Sequence, residues 1–430
     1  MKTFTIEREI SSVGAYDTVV CGAGPAGWIA AVSAARKGAK TALIERLGFA
    51  GGCATASYVV PVSGCFNKEK RVVSDIPWEF FGRMAEKGAA LVEYPKGNIS
   101  VNTEYYKTES ELMLEEAGVD FYTNAFVSDI VKNETGRIAA VIFSDKSGTH
   151  AIEGKIFIDA TGDGDVCALA GVPMQPAAGE LQPISLCFVI AGADTSTELL
   201  RDCIHHDGAH GASVNKVIRN YLLSIENPPF SNFGGPWFNV MLDGTLAVNC
   251  TRAGIDATDA VAFAAAERQL RRDMHAIIGL LKEHFPEFRD VRIIASGVNA
   301  GVRETRRIVG KYTLCEADIA SGAVSDCPVA VCVHPVDIHS AKDAAQVCKR
   351  ISAAADVPYD CLVNENFGNL ICAGRAVSCD RVAMATLRVQ ATVMSIGEAA
   401  GAAAAFALKK GIPVHAICPA YTEEFNSFRK

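Results

Sequence analysis

Residues 17–46, DTVVCGAGPAGWIAAVSAARKGAKTALIER, constrain the fold more than any other stretch of the chain. An apolar run leads into Gly22, an Ala-rich segment follows Gly27, and a second apolar run over residues 41–44 ends at Glu45. This order predicts a strand, a tight turn, a helix and a parallel strand. A Gly-x-Gly-x-x-Gly turn at that place brings a pyrophosphate against the free N–H groups at the start of a helix. The stretch therefore predicts a dinucleotide-binding βαβ unit.

Each glycine of the turn has a steric task. Gly22 permits the turn off the strand, Gly24 lets the backbone approach a pyrophosphate, and Gly27 lets the helix pack closely on the strand. At Glu45 a carboxylate can accept hydrogen bonds from ribose hydroxyls, which disfavours a 2′-phosphate and hence NADP. A glycine-rich turn alone is weak evidence for such a site. Here the strand, the helix, the second strand and the acid occur in the required order.

The composition is that of a globular chain and disfavours several classes of partner. The chain has 430 residues, a length sufficient for two or three structural units with a large core. Of these residues, 49% are hydrophobic and 21% are charged. A net charge of −8 with dispersed basic residues disfavours nucleic acid. Residues 1–15 lack the apolar core of a signal peptide, and we identify no stretch of about 20 apolar residues that predicts a membrane span. We expect a cytoplasmic protein with no nucleic-acid or membrane partner.

The cysteines and the acidic motifs do not predict a metal site. The 15 cysteines are odd in number and show no Cys-x-x-Cys pair, which favours reduced, packed thiols over a disulfide framework, an iron–sulfur cluster or a zinc site. The TGDGD motif lacks the remaining ligands of a calcium loop. A cluster of histidines with one acid is interpreted as part of an exposed loop; it consists of His205, His206, Asp207 and His210.

The predicted elements indicate an α/β fold of two interleaved units. Strands over residues 119–159 form a β-meander, and a strand, loop and helix in the last 70 residues complete the first parallel sheet. The middle of the chain mixes strands with a long helix from about Thr258 to His284 and has no nucleotide turn. We predict a discontinuous Rossmann-like cofactor domain of residues 16–74, 105–170 and 356–430. Residues 171–355 would form an inserted mixed α+β substrate or cap domain, to which residues 75–104 could contribute. Residues 1–15 would form an N-terminal arm.

Two segments of the middle region carry candidate catalytic residues. In GVRETRR, the planar guanidinium of Arg303 or Arg306 is suited to orient an anionic or carbonyl substrate, although a solvated charged face would have the same sequence. In VHPVDIH, His339 is the predicted acid/base, with Asp337 as its orienting partner. A histidine that only packs or caps is the alternative.

A resemblance to a known family is carried by DTVVCGAGPAG, GFAGGCATA, FIDATGDGDVCALAG, GVRETRRIVGKYTL, HPVDIH and the segment from VPYDC to GAAAA. These segments resemble the FAD-dependent oxidoreductase family with a glutathione-reductase-like FAD-binding fold, many of whose bacterial members have no assigned substrate. The resemblance runs nearly end to end. It implies bound FAD and a small-molecule substrate.

The resemblance also implies FAD contacts along the chain. The first turn would hold the pyrophosphate, Glu45 the ribose, and the backbone near Val127 the adenine. The N–H groups at the start of the last helix would meet the N1 edge of the isoalloxazine, where reduced flavin is negative. The implied cofactor residues are Gly22, Gly24, Pro25, Ala26, Gly27, Glu45, Arg46, Gly52, Thr55, Val127, Thr161, Gly162, Asp163, Gly374, Arg375, Arg388, Gln390, Ala391 and Thr392.

The predicted function is hydride transfer between a small organic substrate and N5 of FAD, with a protein group that moves the accompanying proton. A tRNA-modifying flavoprotein is disfavoured by the charge, and an electron-transfer flavoprotein by the absence of Cys-x-x-Cys motifs. An NAD-dependent dehydrogenase would leave GFAGGCATA, ATGDGD and LRVQAT without a role. Cys53, beside the implied flavin, is interpreted as a packed thiol rather than a redox group because no second cysteine is near it in sequence. The substrate and the oligomeric state are left open.

Overall fold

The computed structural model of the chain describes residues 3–5, 7–92, 99–176, 180–200, 216–241 and 243–429. The predicted loop cluster of His205, His206, Asp207 and His210 lies outside the described residues.

The helices follow the predicted pattern of apolar and small residues. They are α1 Pro25–Arg36, α2 Cys53–Ala56, α3 Asp75–Glu86, α4 Thr103–Glu116, α5 Asp165–Ala170, α6 Lys216–Ser224, α7 Ala260–His284, α8 Glu316–Ser321, α9 Arg381–Leu387, α10 Gln390–Lys410 and α11 Thr422–Arg429.

The strands are β1 Ser12–Cys21, β2 Thr41–Ile44, β3 Pro61–Val62, β4 Phe66–Asn67, β5 Lys70–Arg71, β6 Ala90–Val92, β7 Ile99–Val101, β8 Asp120–Tyr122, β9 Phe126–Lys132, β10 Ile138–Asp145, β11 Gly148–Asp159, β12 Phe188–Ala191, β13 Phe233–Val240, β14 Leu246–Thr251, β15 Arg292–Ser296, β16 Pro328–Cys332, β17 Val336–His339, β18 Gln346–Lys349, β19 Ala355–Pro358 and β20 Leu370–Cys372.

The largest sheet confirms the predicted Rossmann-like α/β fold. Its order is β8-β2-β1-β11-β10-β9, with β20 also paired to β11. Strands β8, β2, β1, β11 and β20 are parallel, and β11, β10 and β9 form the antiparallel meander. In register, Cys21 pairs with Ile44 and with Asp159, and Asp159 pairs with Cys372. The loops that follow these strands therefore open at one edge of the sheet, where ligands bind in such folds.

The first strand is longer than predicted. It begins at Ser12, inside the expected N-terminal arm, because Gly14 to Tyr16 continue the parallel pairing with β11.

Close contact between α1 and α10 sets the position of the last helix. A Cβ added at Gly397 would lie 2.1 Å from the carbonyl oxygen of Ala26, and one added at Gly401 would lie 2.1 Å from that of Ala30. Backbones approach this closely only where the facing residues are small. The glycine turn at residues 22–27 is thereby held against α10 about two turns after the start of that helix.

Helix α10 also corrects the expectation that no stretch is long and apolar enough to span a membrane. Gln390–Lys410 meets that test by length and composition, with a mean hydropathy of 1.4. Of the most apolar window of this helix, 89% is buried inside the protein.

A second, antiparallel sheet forms in the middle of the chain, in the order β13-β14-β12-β15. Helix α7 begins after Asp259, whose carboxylate accepts the N–H groups of Val261 and Ala262, close to the predicted start. Apolar side chains of the helix and the sheet form a separate core, including Phe188, Ile190, Phe238, Val248, Met274, Ile277 and Leu281. Residues between Ile308 and Val336 pack instead in the core of the large sheet. The domain limits at residues 171 and 355 remain a prediction.

The cysteines follow the expectation in part. Among the described cysteines most are buried free thiols. Cys327 and Cys418 are an exception to the predicted reduced state, because the structure pairs them as a disulfide across 91 residues. Sequence spacing does not reveal such a pair, since the fold alone brings the two positions together.

Candidate functional site

The glycine turn between β1 and α1 has the geometry of a phosphate cradle. A Cβ on Gly22 would lie 2.5 Å from the carbonyl oxygen of Ala160, and one on Gly27 would lie 1.8 Å from that of Gly22. A Cβ on Gly24 would meet no atom of the described residues within 4 Å. Pro25, which has no N–H, opens the helix, and the N–H of Gly27 donates to the carbonyl of Gly24 at 2.9 Å. No described side chain caps this end, so the N–H of Ala26 has no side-chain partner. The turn is tight at its two ends and open at its centre.

The carboxylate of Glu45 lies against this turn. Its Oε2 accepts the N–H of Ala23 at 2.6 Å and its Oε1 accepts that of Leu47 at 2.9 Å. Burial raises the pKa of Glu45, although both backbone bonds oppose the shift. Each oxygen keeps a second lone pair for a hydroxyl donor.

The neighbours of Glu45 lie where the sequence predicts an adenosine. The carbonyl of Glu45 accepts the N–H of Ala125, so Val127, at the start of β9, is close to the same edge. Arg46 is exposed beside it.

A second contact point follows β11. Oδ1 of Asp163 accepts hydrogen bonds from Thr305 Oγ1 at 2.7 Å and from Arg375 Nη2 at 3.0 Å. Burial would raise the pKa of Asp163, but the charge of Arg375 and these bonds lower it. Gly162 has a φ of 86°, in the left-handed region that favours glycine, and a Cβ there would lie 2.7 Å from Arg375 Nη2. Nη1 of Arg375 is buried and has no hydrogen-bond partner in the part of the chain that the structure describes.

Two of the implied cofactor residues have internal partners. Thr161 Oγ1 donates to Asp159 and accepts the N–H of Asp165, and Thr55 Oγ1 donates to the carbonyl of Ala50. Their hydroxyls shape the loops that carry them.

Two glycines complete this side of the cradle. Gly52 has a positive φ of 50° and packs against Gly24, so that an added Cβ would lie 2.8 Å from the Cα of Gly24. Gly374, with a φ of 88°, lies beside Ala26.

The N-terminus of α10 forms the far end of the cradle. Its N-cap, Val389, offers no side-chain bond to the first N–H groups. Nε2 of Gln390 donates to the carbonyl of Val59 at 2.6 Å, while its Oε1 is buried and bonds no described residue. Ala391 and Thr392 are buried. The helix end therefore offers positive charge to a ligand.

These observations fit FAD. Open space at Gly24 suits the pyrophosphate, the spare lone pairs of Glu45 suit the ribose, and the uncapped end of α10 suits the isoalloxazine. Nη1 of Arg375 and Oε1 of Gln390 are buried polar atoms without partners among the described residues, as expected for groups that contact a ligand. The individual cofactor contacts remain predictions.

A buried polar cluster surrounds His339, which is 4% exposed. Its Nδ1 accepts a hydrogen bond from Arg252 Nη2 at 2.7 Å, and its Nε2 lies 3.0 Å from Oδ2 of Asp337. Its ring makes a T-shaped contact with the ring of Trp237, with centroids 5.5 Å apart. Burial and the charge of Arg303 lower the pKa of His339 to about 3, against the effect of Asp337. The imidazole is neutral, donates to Asp337, and has both nitrogens engaged. It therefore does not titrate near neutrality, contrary to the expectation from the sequence.

Asp337 is the ionised carboxylate of this cluster. Burial would raise its pKa, but the hydrogen bond from His339 and the charge of Arg388 lower it well below the ordinary value. Arg388 Nη2 donates to its carbonyl at 3.0 Å and lies 3.5 Å from its Oδ2.

His334 differs from His339 in its ring contacts. Its Nδ1 donates to the carbonyl of Pro335 at 2.8 Å, and no described residue bonds its Nε2. Burial lowers the pKa of His334 from the ordinary value of 6.5. Its carbonyl accepts a hydrogen bond from Thr386. His334 is thus a neutral imidazole with one fixed nitrogen and one free lone pair.

The two predicted arginines lie in different surroundings. Arg303 is 8% exposed and belongs to the cluster; its Nη1 donates to the carbonyl of Pro183 at 2.6 Å and to Ser185 Oγ at 2.8 Å. Arg306 pairs with Asp165 and donates to the carbonyl of Asp163 at 2.9 Å, so it lies on the cofactor side.

Sequence reasoning missed Arg252, Gln182 and Trp237. Arg252 follows the buried strand β14, which is the one local signal of an unusual environment. Gln182 accepts the N–H of His339 at 3.1 Å and donates to Glu304. None of the three lies near the HPVDIH segment in sequence.

Cys53 has the protonated state expected of a packed thiol. Burial raises its pKa, although the charges of Arg375 and Arg388 oppose the shift.

The described residues contain no group of three or more His, Cys, Asp or Glu side chains able to hold a metal.

Comparison with known proteins identifies one family. A sequence model of the family described as FAD dependent oxidoreductase matches residues 17–428. No curated relative matches the chain.

Similar solved structures include three proteins of low sequence identity. A geranylgeranyl bacteriochlorophyll reductase-like protein from Thermoplasma acidophilum shares 12% identity over 96% of this chain and 83% of that chain, with a TM-score of 0.49. A flavoprotein/dehydrogenase from Cytophaga hutchinsonii shares 16% over 96% of this chain and 84% of that chain, with a TM-score of 0.47. The p-nitrophenol 4-monooxygenase from Pseudomonas putida DLL-E4 shares 12% over 93% of this chain and 81% of that chain, with a TM-score of 0.45.

Proposed function

Because the chain belongs to the FAD-dependent oxidoreductase family, we propose that it transfers a hydride between FAD and a small organic substrate bound at the cluster of His334, Asp337 and Arg388. When bound, FAD supplies the hydride acceptor or donor at N5 of its isoalloxazine ring. The residues of the chain bind and orient the substrate and move the proton that accompanies the hydride.

The position of the cluster beside the N-terminus of α10 supports this proposal. Arg388 lies two residues before the start of α10. Thr392, in the first turn of that helix, donates to the carbonyl of Val331 at 3.4 Å, and His334 follows Val331 by three residues. The predicted isoalloxazine edge and the polar cluster thus share one end of the cradle.

The observation that carries the proposal is the state of His334. A hydride leaves an alcohol or amine carbon together with a proton from the adjacent heteroatom, and a positioned base accelerates this step. The bond from Nδ1 to Pro335 fixes the tautomer of His334, so its free Nε2 can accept a proton. We assign the proton transfer to His334, and to His339, whose nitrogens are both bonded, the orientation of Asp337 and Arg252.

Single-turnover reduction of the bound FAD tests this assignment. We expect the rate in the parent protein to rise as the pH passes upward through the pKa of His334, which lies below 6.5, since the neutral ring is the base. His334→Asn should remove this limb and lower the rate by about 10²-fold or more, with FAD retained.

His339→Asn serves as the matched variant. It should lower the rate through misplaced Asp337 but keep the acid limb, because His334 still titrates. If His334→Asn keeps both the rate and the pH profile while His339→Asn loses them, His339 is the base and the assignment is wrong. If no substrate from a broad panel of alcohols, amines and activated alkenes reduces the FAD, and the reduced enzyme reduces none, hydride transfer itself is refuted.

A further inference from the structure

The buried charge around Asp337 is strongly unbalanced. Five arginines, three of them at most 8% exposed, surround two buried or half-buried carboxylates, those of Asp337 and Glu304. The arginines are Arg252, Arg303, Arg307, Arg381 and Arg388. Arg307 and Arg381 lie 3.9 and 3.7 Å from Glu304. Three arginines are then left to share Asp337.

Of these three, Arg388 alone contacts the carboxylate directly, at 3.5 Å. Arg252 donates to the carbonyls of Asp343 and Ala345, at 3.1 and 2.9 Å, and to His339. The acids whose charges act on it are Asp337 and the exposed Asp343, and burial and the nearby charge of Arg219 lower its pKa to about 10. It remains a cation held by neutral acceptors.

Arg303 has no carboxylate partner among the described residues. Its Nη1 bonds the carbonyl of Pro183 and the hydroxyl of Ser185, and its Nε and Nη2 bond no described residue. Burial and the charges of Arg388 and Arg252 lower its pKa to about 9, which still leaves it charged near neutrality. One planar edge of its guanidinium is therefore unused.

The short segment of Gln182 and Pro183 links Arg303 to Arg388. The carbonyl of Pro183 accepts from Arg303 at 2.6 Å, and Oε1 of Gln182 lies 3.5 Å from Nη2 of Arg388. The Nε of Arg388 is buried and has no hydrogen-bond partner among the residues that the structure describes. Both guanidinium groups thus contact one short segment, and each keeps donors that bond no described residue.

Buried cations without counter-charge are strongly destabilising, so a site of this kind is expected to bind an anion. A guanidinium edge with two parallel N–H groups matches the two oxygens of a carboxylate. We propose that the substrate carries a carboxylate group, bound by Arg303 and Arg388 beside the carbon that exchanges the hydride. This inference rests on the proposed function, since it places the anion at the same site.

The experiment measures anion binding to the FAD-loaded protein without turnover. Malonate is titrated while the visible absorbance of the flavin and the melting temperature are recorded, with uncharged malonamide and inorganic phosphate in parallel. We expect saturable binding of malonate, no effect of malonamide, and weaker binding of phosphate. Arg303→Gln and Arg388→Gln should each weaken malonate binding at least 10-fold, and Arg303→Lys should weaken it less, because the charge remains and the fork is lost.

Two further variants make the result specific. Arg271→Gln, which removes a partly exposed ion pair with Glu267 on α7, should leave malonate binding unchanged. Asp337→Asn removes the shared carboxylate and should strengthen malonate binding. This variant tests the carboxylate assignment even if the Arg303 variants do not fold.

Equal binding of malonate and malonamide, unchanged binding in folded Arg303→Gln and Arg388→Gln, or tighter binding of phosphate than of malonate would each overturn the carboxylate assignment. The titration requires no turnover, so malonate binding can be observed even if no substrate reduces the FAD. The failure of this inference and the failure of the proposed function are therefore separate results.

Discussion

The packing of α10 on α1 predicts the effect of one added methyl group. Gly397→Ala would place a Cβ 2.1 Å from the carbonyl oxygen and 2.8 Å from the Cα of Ala26. Ordinary contact distances require the two helices to separate by about 1 Å, and such overpacking costs roughly 1–3 kcal/mol. Alanine at a helix interior recovers about 0.8–1.0 kcal/mol of propensity. We expect a net loss of up to about 2 kcal/mol.

Gly279→Ala is the matched control. Gly279 also lies inside a long helix, α7, and a Cβ there would meet no atom within 4 Å. This variant gains the propensity without the clash and should be more stable than the parent by about 0.5–1 kcal/mol.

Urea unfolding of both variants, with and without FAD, measures these changes in the free energy of unfolding. Ala26 is part of the glycine turn, so Gly397→Ala should also weaken FAD binding, while Gly279→Ala should not. A Gly397→Ala protein that gains as much stability as Gly279→Ala and keeps its FAD affinity would refute the close packing of α10 on the glycine turn.

The remaining predictions concern the cofactor cradle and its acids. Gly24→Val should fill the open space at the centre of the turn and abolish FAD binding while the apoprotein stays folded, because the φ of Gly24 is −63° and tolerates a side chain; the ratio of flavin to protein absorbance and the melting temperature of the apoprotein check this. Burial and the charge of Asp163 raise the pKa of Asp165 to about 6 from 3.8, so its protonated form stabilises the fold at low pH and that contribution is lost as the pH rises towards 6. The melting temperature of the parent should therefore fall relative to that of Asp165→Asn between about pH 4 and pH 6, and a constant difference over that range would contradict the raised pKa.

Local pattern was enough to predict the glycine turn and the parallel strands on either side of it. The turn at residues 22–27 and the acid at Glu45 lie within a single βαβ unit, whose steric rules depend on neighbours close in sequence. The long helices could be located for the same reason, as in α7, where Asp259 supplies the N-cap next to a periodic apolar face. The arrangement of the sheet followed from the alternation of these units.

The chemistry of the polar cluster was decided by tertiary structure. HPVDIH offered two histidines, and the bonds to Pro335 and Arg252 distinguish the free nitrogen of His334 from the engaged nitrogens of His339. Arg303 and Arg306 look equivalent in GVRETRR, yet one faces carbonyls and other arginines while the other pairs with Asp165. The burial of a side chain and the electrostatic field on it depend on neighbours from distant parts of the chain. Its protonation state and its unused hydrogen-bonding atoms are therefore decided only when the fold brings those neighbours together.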